Sequence, residues 1–229
     1  MQPFASGYFG SMVESYDSLI RRAVPRYDEM ISTMLDYLPG KAERVLELGC
    51  GTGNLSLALA RRFSAASLTF VDGSAEMLDV TRSRIDKNRL GFRARPTYIA
   101  SRFEDLNLAD HSFDLVVSSI SLHHVVDKAS LYACIREALR DGGRFCFADQ
   151  MKGEPDENHY VNWKGWLDYC RQPGNCTDDE IQSLLDHAAA HDHYTSLREH
   201  MSLLTASGFL ALDCVWRNLM WGIVTATAG

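Results

Sequence analysis

Apolar residues in this chain form short runs that alternate with longer amphipathic segments from about residue 41 onwards. Five of the runs are rich in β-branched and aromatic residues and too short for core helices, so they are predicted to be buried strands. Alternation of such strands with helices is the pattern of a parallel α/β sheet. The predicted strands are Val45–Cys50, Leu68–Asp72, Thr97–Ala100, Phe113–Ser119 and Arg144–Asp149.

The clearest amphipathic segment between these strands is predicted to be a helix from Asp127 to Arg140. Asp127 is a suitable N-cap, and Gly142 or Gly143 is expected to end the helix in the left-handed conformation. Its apolar residues recur three and four positions apart, which places one apolar stripe against the sheet. These residues are Leu131, Cys134, Ile135, Ala138 and Leu139.

The chain divides into four predicted regions. Residues 1–40 are expected to be N-terminal helices that form a lid, and residues 41–150 the alternating core. Residues 151–207 break the alternation and are rich in His, Trp and Tyr, so they are predicted to form a helical cap. Residues 208–229 are predicted to close the sheet.

Two features support the last two regions. Thr177 and Glu180 have the spacing of a capping box, which predicts a helix start inside the cap. The closing region contains two strand-like runs, Ala211–Trp216 and Met220–Ala228. The link between them is too short for a parallel crossover, so they are predicted to form an antiparallel hairpin.

Composition and charge narrow the class of protein. The chain has 229 residues, 46% hydrophobic and 23% charged, which suits one globular domain with a cap. Its net charge of -7 argues against a nucleic-acid partner, because nucleic-acid binders usually carry a basic stripe. No apolar run has transmembrane length and no signal-peptide pattern is found, so a cytoplasmic protein without a membrane partner is expected. A homodimer is left open.

Neither the cysteines nor the histidines form a convincing metal-binding pattern. None of the six cysteines belongs to a C-x-x-C pair, which favours a reducing compartment. His187 and His191 stand one helical turn apart, but no carboxylate or cysteine completes a ligand set with them. They are interpreted as a solvated helix face, and no metal is expected.

The strongest local signal is a glycine-rich turn that follows the first predicted strand. Its glycines read G-x-G-x-G, whereas dinucleotide-binding enzymes use G-x-G-x-x-G, and Asn54 occupies the place of the third glycine in that motif. Glu47 stands two places before the first glycine, where a carboxylate opposes a pyrophosphate but suits an ammonium group. Asp72 ends the next strand, at a place where a carboxylate accepts hydrogen bonds from ribose hydroxyls. An NAD-dependent reductase is therefore disfavoured.

Five stretches, in this order along the chain, resemble the class I S-adenosylmethionine (SAM)-dependent methyltransferases. They are Glu47–Gly53, Val71–Ser74, Phe113–Val125, Leu139–Phe145 and the closing hairpin. The resemblance covers nearly the whole chain. It implies an α/β, Rossmann-like fold with a seven-stranded, mostly parallel sheet. It also implies SAM as cofactor, S-adenosylhomocysteine as product, and methyl transfer to a small-molecule acceptor.

The same resemblance implies roles for the matching residues. Asp72 would hold the ribose, Arg102 and Phe103 would flank the adenine, and Met77 either lies on the adenine or belongs to the core. The residues expected on the methionine side of SAM are Glu47, Gly49, Gly51, Gly53, Ser119 and Ile120. Gly73 and Ser74 complete this part of the predicted cofactor site.

One position departs from the family pattern. The family usually has Asp where this chain has Arg102, and a guanidinium cannot accept a hydrogen bond from the adenine amino group. Backbone groups, the Phe103 ring or Glu104 are the alternatives. The departure also motivates a rival hypothesis, a SAM-binding regulatory protein without catalytic activity.

The N-terminal region and the cap resemble those of carboxy-SAM synthase and related small-molecule enzymes. Leader residues of that subgroup close over the methionine tail of SAM, which implies cofactor contacts for Tyr16, Arg22 and Tyr27; Phe9 belongs to the same pattern. Arg171 matches an arginine that holds the extra carboxylate of carboxy-SAM. A carboxy-SAM synthase-like enzyme is therefore an alternative, although the glycine turn is that of ordinary methyltransferases.

Candidates for catalysis and acceptor binding follow the fourth predicted strand and lie in the cap. His123 is the preferred general base and His124 is a candidate substrate contact, since ligands bind beyond the carboxyl ends of strands in open α/β sheets. Trp163 and Trp166 are candidate substrate contacts that also have helical packing spacing. The chain lacks the D/N-P-P-Y/F motif of nucleic-acid amino-methyltransferases, since Ser118–Ser121 stands in its place.

Overall fold

The computed structural model describes residues 16–88 and 90–229. Phe9 and the first part of the predicted lid lie outside these residues. The strands are β1 Arg44–Leu48, β2 Ser67–Asp72, β3 Thr97–Ala100, β4 Phe113–Ser119, β5 Leu139–Lys152, β6 Thr195–Ser196, β7 Phe209–Asn218 and β8 Trp221–Ala228. The helices are α1 Tyr16–Ala23, α2 Tyr27–Asp36, α3 Asn54–Arg62, α4 Ala75–Lys87, α5 Lys128–Ala138, α6 Asp156–Cys170, α7 Asp178–His191 and α8 Leu197–Ala206.

Seven of the strands form one sheet in the order β3-β2-β1-β4-β5-β8-β7. The first five are parallel to one another, whereas β8 runs antiparallel to both β5 and β7. The predicted parallel sheet with a closing antiparallel hairpin is therefore confirmed. The sequence analysis missed β6, a two-residue strand that pairs with the end of β5.

The boundaries of β3 and β4 match the predicted ones, but the region between β4 and β5 differs. Helix α5 ends at Ala138, and its C-cap is Leu139 in an extended conformation, so neither predicted glycine ends the helix. Gly142 has a φ of 75° and lies where the pairing of β5 with β4 is irregular. Its left-handed conformation belongs to this irregularity. The predicted caps at Asp127 and Thr177 are confirmed.

Buried side chains pack on both faces of the sheet. Residues alternate between two apolar clusters along β4, where Leu115 and Val117 belong to one and Val116 to the other. The first cluster includes side chains from α2, α3, α4 and α6. The second includes side chains from α5 and α8, so the last helix before the closing hairpin packs with the core. No helix of the described residues is long and apolar enough to cross a membrane.

Candidate active site

The glycine turn begins where β1 leaves the sheet, and its three glycines are needed for different reasons. Gly49, Gly51 and Gly53 have φ values of 69°, 53° and 87°, which favour glycine. A Cβ at Gly49 would lie 2.3 Å from Ser121 Oγ, and one at Gly53 would lie 2.9 Å from Thr81 Oγ1. A Cβ at Gly51 would meet no protein atom within 4 Å. Packing therefore requires the outer two glycines, while the middle one leaves open space.

Asp72 connects the end of β2 to this turn. Its Oδ2 accepts a hydrogen bond of 2.8 Å from the Gly51 backbone N–H, and its Oδ1 accepts one of 2.9 Å from Ser74. Burial raises the pKa of Asp72, and the backbone hydrogen bonds from Ser74 and Gly51 oppose that rise. The carboxylate thus fixes the middle of the glycine turn as well as facing the cavity.

Glu47 is a buried carboxyl group at the base of the cavity. Only 1% of the residue is exposed, and its Oε2 has no hydrogen-bond partner among the described residues. Burial raises the pKa of Glu47 to about 8, the charge of Asp72 contributes to the rise, and a hydrogen bond with Ser56 opposes it. A cation placed against Oε2 would stabilise the ionised form.

A cavity of about 410 Å³ lies beyond the carboxyl ends of the strands, between the glycine turn and helices α1 and α7. Twelve of the residues predicted to bind the cofactor line it. These are Tyr16, Tyr27, Glu47, Gly49, Gly51, Asp72, Gly73, Met77, Arg102, Phe103, Ser119 and Ile120. The sequence therefore predicted most of one wall of this cavity.

Three predicted cofactor residues do not line the cavity, and each has a structural contact instead. Gly53 is the N-cap of α3 and packs against Thr81. Ser74 caps α4, where its Oγ accepts a hydrogen bond of 3.2 Å from the Met77 N–H. Arg22 forms a bidentate ion pair with Glu180 of the capping box, with distances of 2.9 and 2.6 Å. The predicted cofactor contact of Arg22 is absent from this arrangement, because this pair holds its guanidinium at the start of α7.

Helix α1 is attached to the glycine turn by polar contacts that the sequence analysis did not predict. Asp17 accepts hydrogen bonds from Thr52 Oγ1 and, at 3.0 Å, from Asn54 Nδ2. It also forms an ion pair with Arg84 of α4. Asp17 therefore positions Tyr16 and Ile20 of the same helix over the cavity.

The end of β4 carries backbone strain at the cavity. Ile120 has a φ of 53°, a conformation that β-branched residues rarely adopt. Its N–H donates a hydrogen bond of 2.7 Å to Ala148 O, which holds the strained residue to β5. Strain of this kind is concentrated at ligand-binding and catalytic sites.

Arg102 and Glu104 line the cavity on the side of the predicted adenine pocket. Arg102 Nη2 lies 3.3 Å from Glu104 Oε2, and both side chains are almost half exposed. Phe103 lies between them in a short 3₁₀ turn, and its Cζ would be 3.2 Å from a Cβ at Gly49. A carboxylate is therefore present beside the arginine that departs from the family pattern.

The two histidines after β4 occupy different environments, opposite to those expected. His123 is 4% exposed and does not line the large cavity, whereas His124 does. His123 Nδ1 donates a hydrogen bond of 2.5 Å to Asp149 Oδ1. Burial lowers the pKa of His123, but the charge and hydrogen bond of Asp149 outweigh it and the net shift is upward. The structure therefore places His124, and not the preferred His123, in the wall of the cavity.

Further polar groups surround these histidines. Asp192 Oδ1 lies 3.8 Å from His123 Nε2, 3.2 Å from His124 Nδ1 and 3.7 Å from His187 Nε2. The Tyr194 hydroxyl donates a hydrogen bond of 2.6 Å to Asp192 Oδ2. Burial is the main reason that the pKa of His187 falls to about 4. The interpretation of His187 as part of a solvated helix face is wrong, because α7 turns it inward.

Comparison with known proteins agrees with this geometry. Residues 45–143, from β1 to the start of β5, match a family model described as a methyltransferase domain. The ubiquinone/menaquinone biosynthesis C-methyltransferase UbiE of Xylella fastidiosa is 38% identical over 198 residues, which is 82% of this chain and 73% of that protein. The chain is a class I SAM-dependent methyltransferase. It spans about half the length of several other curated relatives.

Solved structures show the same fold at low sequence identity. A SAM-dependent methyltransferase of Thermotoga maritima has a TM-score of 0.67 and 16% identity, with 98% of this chain and 99% of that chain covered. Phosphoethanolamine N-methyltransferase 2 of Haemonchus contortus, solved with SAM, has a TM-score of 0.66 and 19% identity over 91% of this chain and 44% of that chain. SAM, the cofactor of the family to which the chain belongs, is bound in the Haemonchus contortus structure.

Three residues predicted to contact substrate in the methyltransferase lie away from the large cavity. The Trp166 Nε1–H donates a hydrogen bond of 2.9 Å to Ala23 O, and its ring packs against Trp163 with centroids 5.0 Å apart. These tryptophans fix α6 to α1 and to the core. The Arg171 side chain is 58% exposed, with Nη1 4.0 Å from Asp168 Oδ1. Arg171 therefore faces solvent, and the carboxy-SAM alternative that depended on it is not favoured.

The sequence analysis missed the acidic residues that organise the methyltransferase site. Asp17, Asp149 and Asp192 each contact groups far away in sequence. Asp149 ends the predicted fifth strand, and strand-end carboxylates in this fold are candidate site residues. Asp192 directly follows His191, so a search for carboxylates next to the histidine pair would have found it.

Proposed function

We propose that this methyltransferase transfers the methyl group of SAM to a small-molecule acceptor that binds between the glycine turn and helix α7. The observation that carries the proposal is the cavity, whose volume of about 410 Å³ lies in the range of small-molecule sites. Ala190, His191 and His193 at the end of α7 form its roof. A roof of this kind suits a ligand that is enclosed rather than a polymer.

Names of relatives support an acceptor of this class. They include ubiquinone/menaquinone C-methyltransferases, a ubiquinone O-methyltransferase and a malonyl-[acyl-carrier protein] O-methyltransferase. These acceptors differ in the atom that is methylated, so the shared part is the SAM site.

In the proposed complex, the cavity residues divide between the parts of SAM. Glu47 accepts hydrogen bonds from the α-ammonium group, and Asp72 accepts hydrogen bonds from the ribose hydroxyls. Phe103 and Met77 contact the adenine, and Glu104 accepts from its amino group. Ser119 and Ile120 border the methionine chain. The methyl group then faces the roof of the cavity.

The acceptor lies on the side of His124. SAM carries its methyl group on a positively charged sulfur, so the protein must align the attacking atom and remove its proton where it has one. His124 lines the cavity, and burial followed by the charge of His123 lowers its pKa. A neutral imidazole at this place can accept the proton of an acceptor hydroxyl or amine.

An acceptor screen tests the proposal. The purified protein is incubated with methyl-labelled SAM and fractions of small molecules, protein or nucleic acid, and the transfer of label is followed with formation of S-adenosylhomocysteine. Label in a small-molecule product, lost in the His124→Ala variant with SAM affinity kept, is expected. Label only in protein or nucleic acid would contradict the proposal. Tight SAM binding without transfer to any fraction would favour a regulatory role.

A further inference from the structure

We propose that His123, His124 and Asp192 form a zinc-binding site beside the methyl-transfer cavity. The two histidines lie in the turn after β4, and Asp192 directly follows α7. One nitrogen of each imidazole and one carboxylate oxygen lie within 4.8 Å of one another. Two imidazoles and a carboxylate are the kind of three-ligand set with which zinc keeps a fourth position open. This site goes beyond the proposed function, and with the ion bound His124 would act as a ligand instead of as the proton acceptor.

Asp192 Oδ1 faces a nitrogen of each imidazole at distances that are compatible with a shared ion. The 3.8 Å that separates it from His123 Nε2 is too long for an N–H···O hydrogen bond. At an ion about 2.1 Å from each ligand atom, separations of 3.2 and 3.8 Å correspond to angles of about 100° and 130°. These angles lie on either side of the tetrahedral value.

The hydrogen bond of His123 Nδ1 to Asp149 leaves Nε2 on the side of Asp192. The Asp149 carboxylate can only accept, so the Nδ1 of His123 carries the proton of their hydrogen bond. In the neutral form of the ring, Nε2 then carries a lone pair on the side of Asp192. Asp192 Oδ1 is itself buried, and His124 Nδ1 lies 3.2 Å from it. A cation between His123 Nε2 and Asp192 Oδ1 removes their mutual repulsion.

The contacts behind these ligands are those that orient zinc ligands in other proteins. A zinc-binding imidazole usually donates its other N–H to a carboxylate, as His123 does to Asp149. Ligating carboxylates are hydrogen-bonded as well, and Asp192 Oδ2 accepts from the Tyr194 hydroxyl. The Lys128 ammonium joins the two ligand segments, because it donates hydrogen bonds of 2.7 Å to both Val125 O and His193 O.

The open coordination position would face the cavity. His124 is the ligand that lines the cavity, so a water or an acceptor oxygen bound to the ion would lie on its side. The ligand atoms lie within 4.8 Å of one another, so the most distant pair has to approach by up to about 1.4 Å for tetrahedral coordination. His187 Nε2, 3.7 Å from Asp192 Oδ1, is next to the site rather than in the ligand set.

Metal titration of the chelator-treated protein tests the site without any acceptor. Calorimetry with Zn²⁺ should show one tight site per chain, and Co²⁺ should give the strong visible absorption of four-coordinate cobalt. The Asp192→Asn and His124→Ala variants should each weaken Zn²⁺ binding at least tenfold and lose that absorption. Asp186→Asn, the same change at an exposed position on α7, should bind Zn²⁺ like the wild type.

Three results would overturn the zinc site. The first is the absence of Zn²⁺ binding to the folded wild type, and the second is binding of Mg²⁺ in preference to Zn²⁺. The third is equal Zn²⁺ affinity in all variants, which would point to the cysteines as ligands. His124→Ala keeps the test decisive if Asp192→Asn does not fold. Because no acceptor or turnover is needed, failure of the zinc site would leave the proposed methyl transfer untouched.

Discussion

Binding of SAM to this methyltransferase should release protons below pH 8, and Glu47 should be their source. Burial moves the pKa of Glu47 from its ordinary 4.5 to about 8 in the empty cavity. That shift corresponds to about 5 kcal/mol of preference for the neutral form. The α-ammonium of SAM would reverse the preference, because a positive charge against Oε2 stabilises the carboxylate.

The expected number of protons follows from these pKa values. At pH 7, about nine-tenths of the Glu47 side chains are protonated in the empty cavity. A free α-amino group has a pKa of about 7.7–8.0 and is also mostly protonated. The complex holds one proton for the two groups, so about 0.8 of a proton should be released per SAM bound at pH 7. Above pH 8 the sign reverses, and binding should take up protons.

Calorimetry in buffers of different ionisation enthalpy measures this number directly. At pH 6.5 the wild type should release nearly one proton, and its SAM dissociation constant should fall almost tenfold for each pH unit gained between 6 and 7. Glu47→Gln has no proton to release, so its proton count should be close to zero and its affinity nearly independent of pH in this range. Glu43→Gln, at an exposed position before β1, should behave like the wild type.

Two results would refute this reasoning. A wild-type proton count near zero at pH 6.5 would mean that Glu47 has the same protonation state in the empty cavity and in the SAM complex. The same count in the wild type and in Glu47→Gln would mean that another group titrates when SAM binds. In the second case Glu47 would not be the carboxylate that ionises against the ammonium of SAM.

Three further changes test other parts of the site. Gly51→Ala should abolish most SAM binding, because its Cβ would enter open cavity space. Gly142→Ala, with a similar positive φ at an exposed position in the irregular part of β5, should lower the melting temperature by a similar amount but keep SAM binding. Calorimetry and thermal melting compare the two variants. Asp72→Ala should weaken SAM binding by about 1–3 kcal/mol. It should also lower the melting temperature, because two backbone donors lose their acceptor. Asp79→Ala, at an exposed position, should change neither property. Glu180→Gln should lower the melting temperature at pH 7. Its arginine partner lowers the pKa of Glu180 to about 2, so the difference in melting temperature between the wild type and the variant should shrink as the pH falls from 4.5 towards 2. A difference that stays constant would show that the ion pair does not stabilise the fold.

The sequence predicted the sheet well because buried parallel strands are continuous apolar runs. Strands β3 and β4 have the predicted bounds for this reason. Strand β5 is longer than predicted at both ends. Its first residues pair irregularly with β4, and its last residues pair with β8 and β6. Pairing of this kind depends on partners far along the chain, which local patterns do not encode.

The candidate site divides in the same way. The glycine turn is a run of consecutive residues, so spacing and residue type were enough to find it. The ion pair of Arg22 could not be predicted from local sequence patterns, because its partner Glu180 lies 158 positions away and only the folded chain brings them together. His123 and His124 are adjacent in sequence, yet the turn after β4 buries one and leaves the other in the cavity wall.

The order of the strands has a consequence for how this protein is made. Strand β7 precedes β8 in the sequence, but it reaches the sheet only through β8, which lies between it and β5. A ribosome therefore completes β7 while that strand has nowhere to bind, and β5 has an open edge until residues 221–228 emerge. Such edges pair with other chains during synthesis. Slow translation through this stretch, or a shortage of chaperones, would therefore lower the yield of folded protein without lowering the specific activity of the molecules that fold.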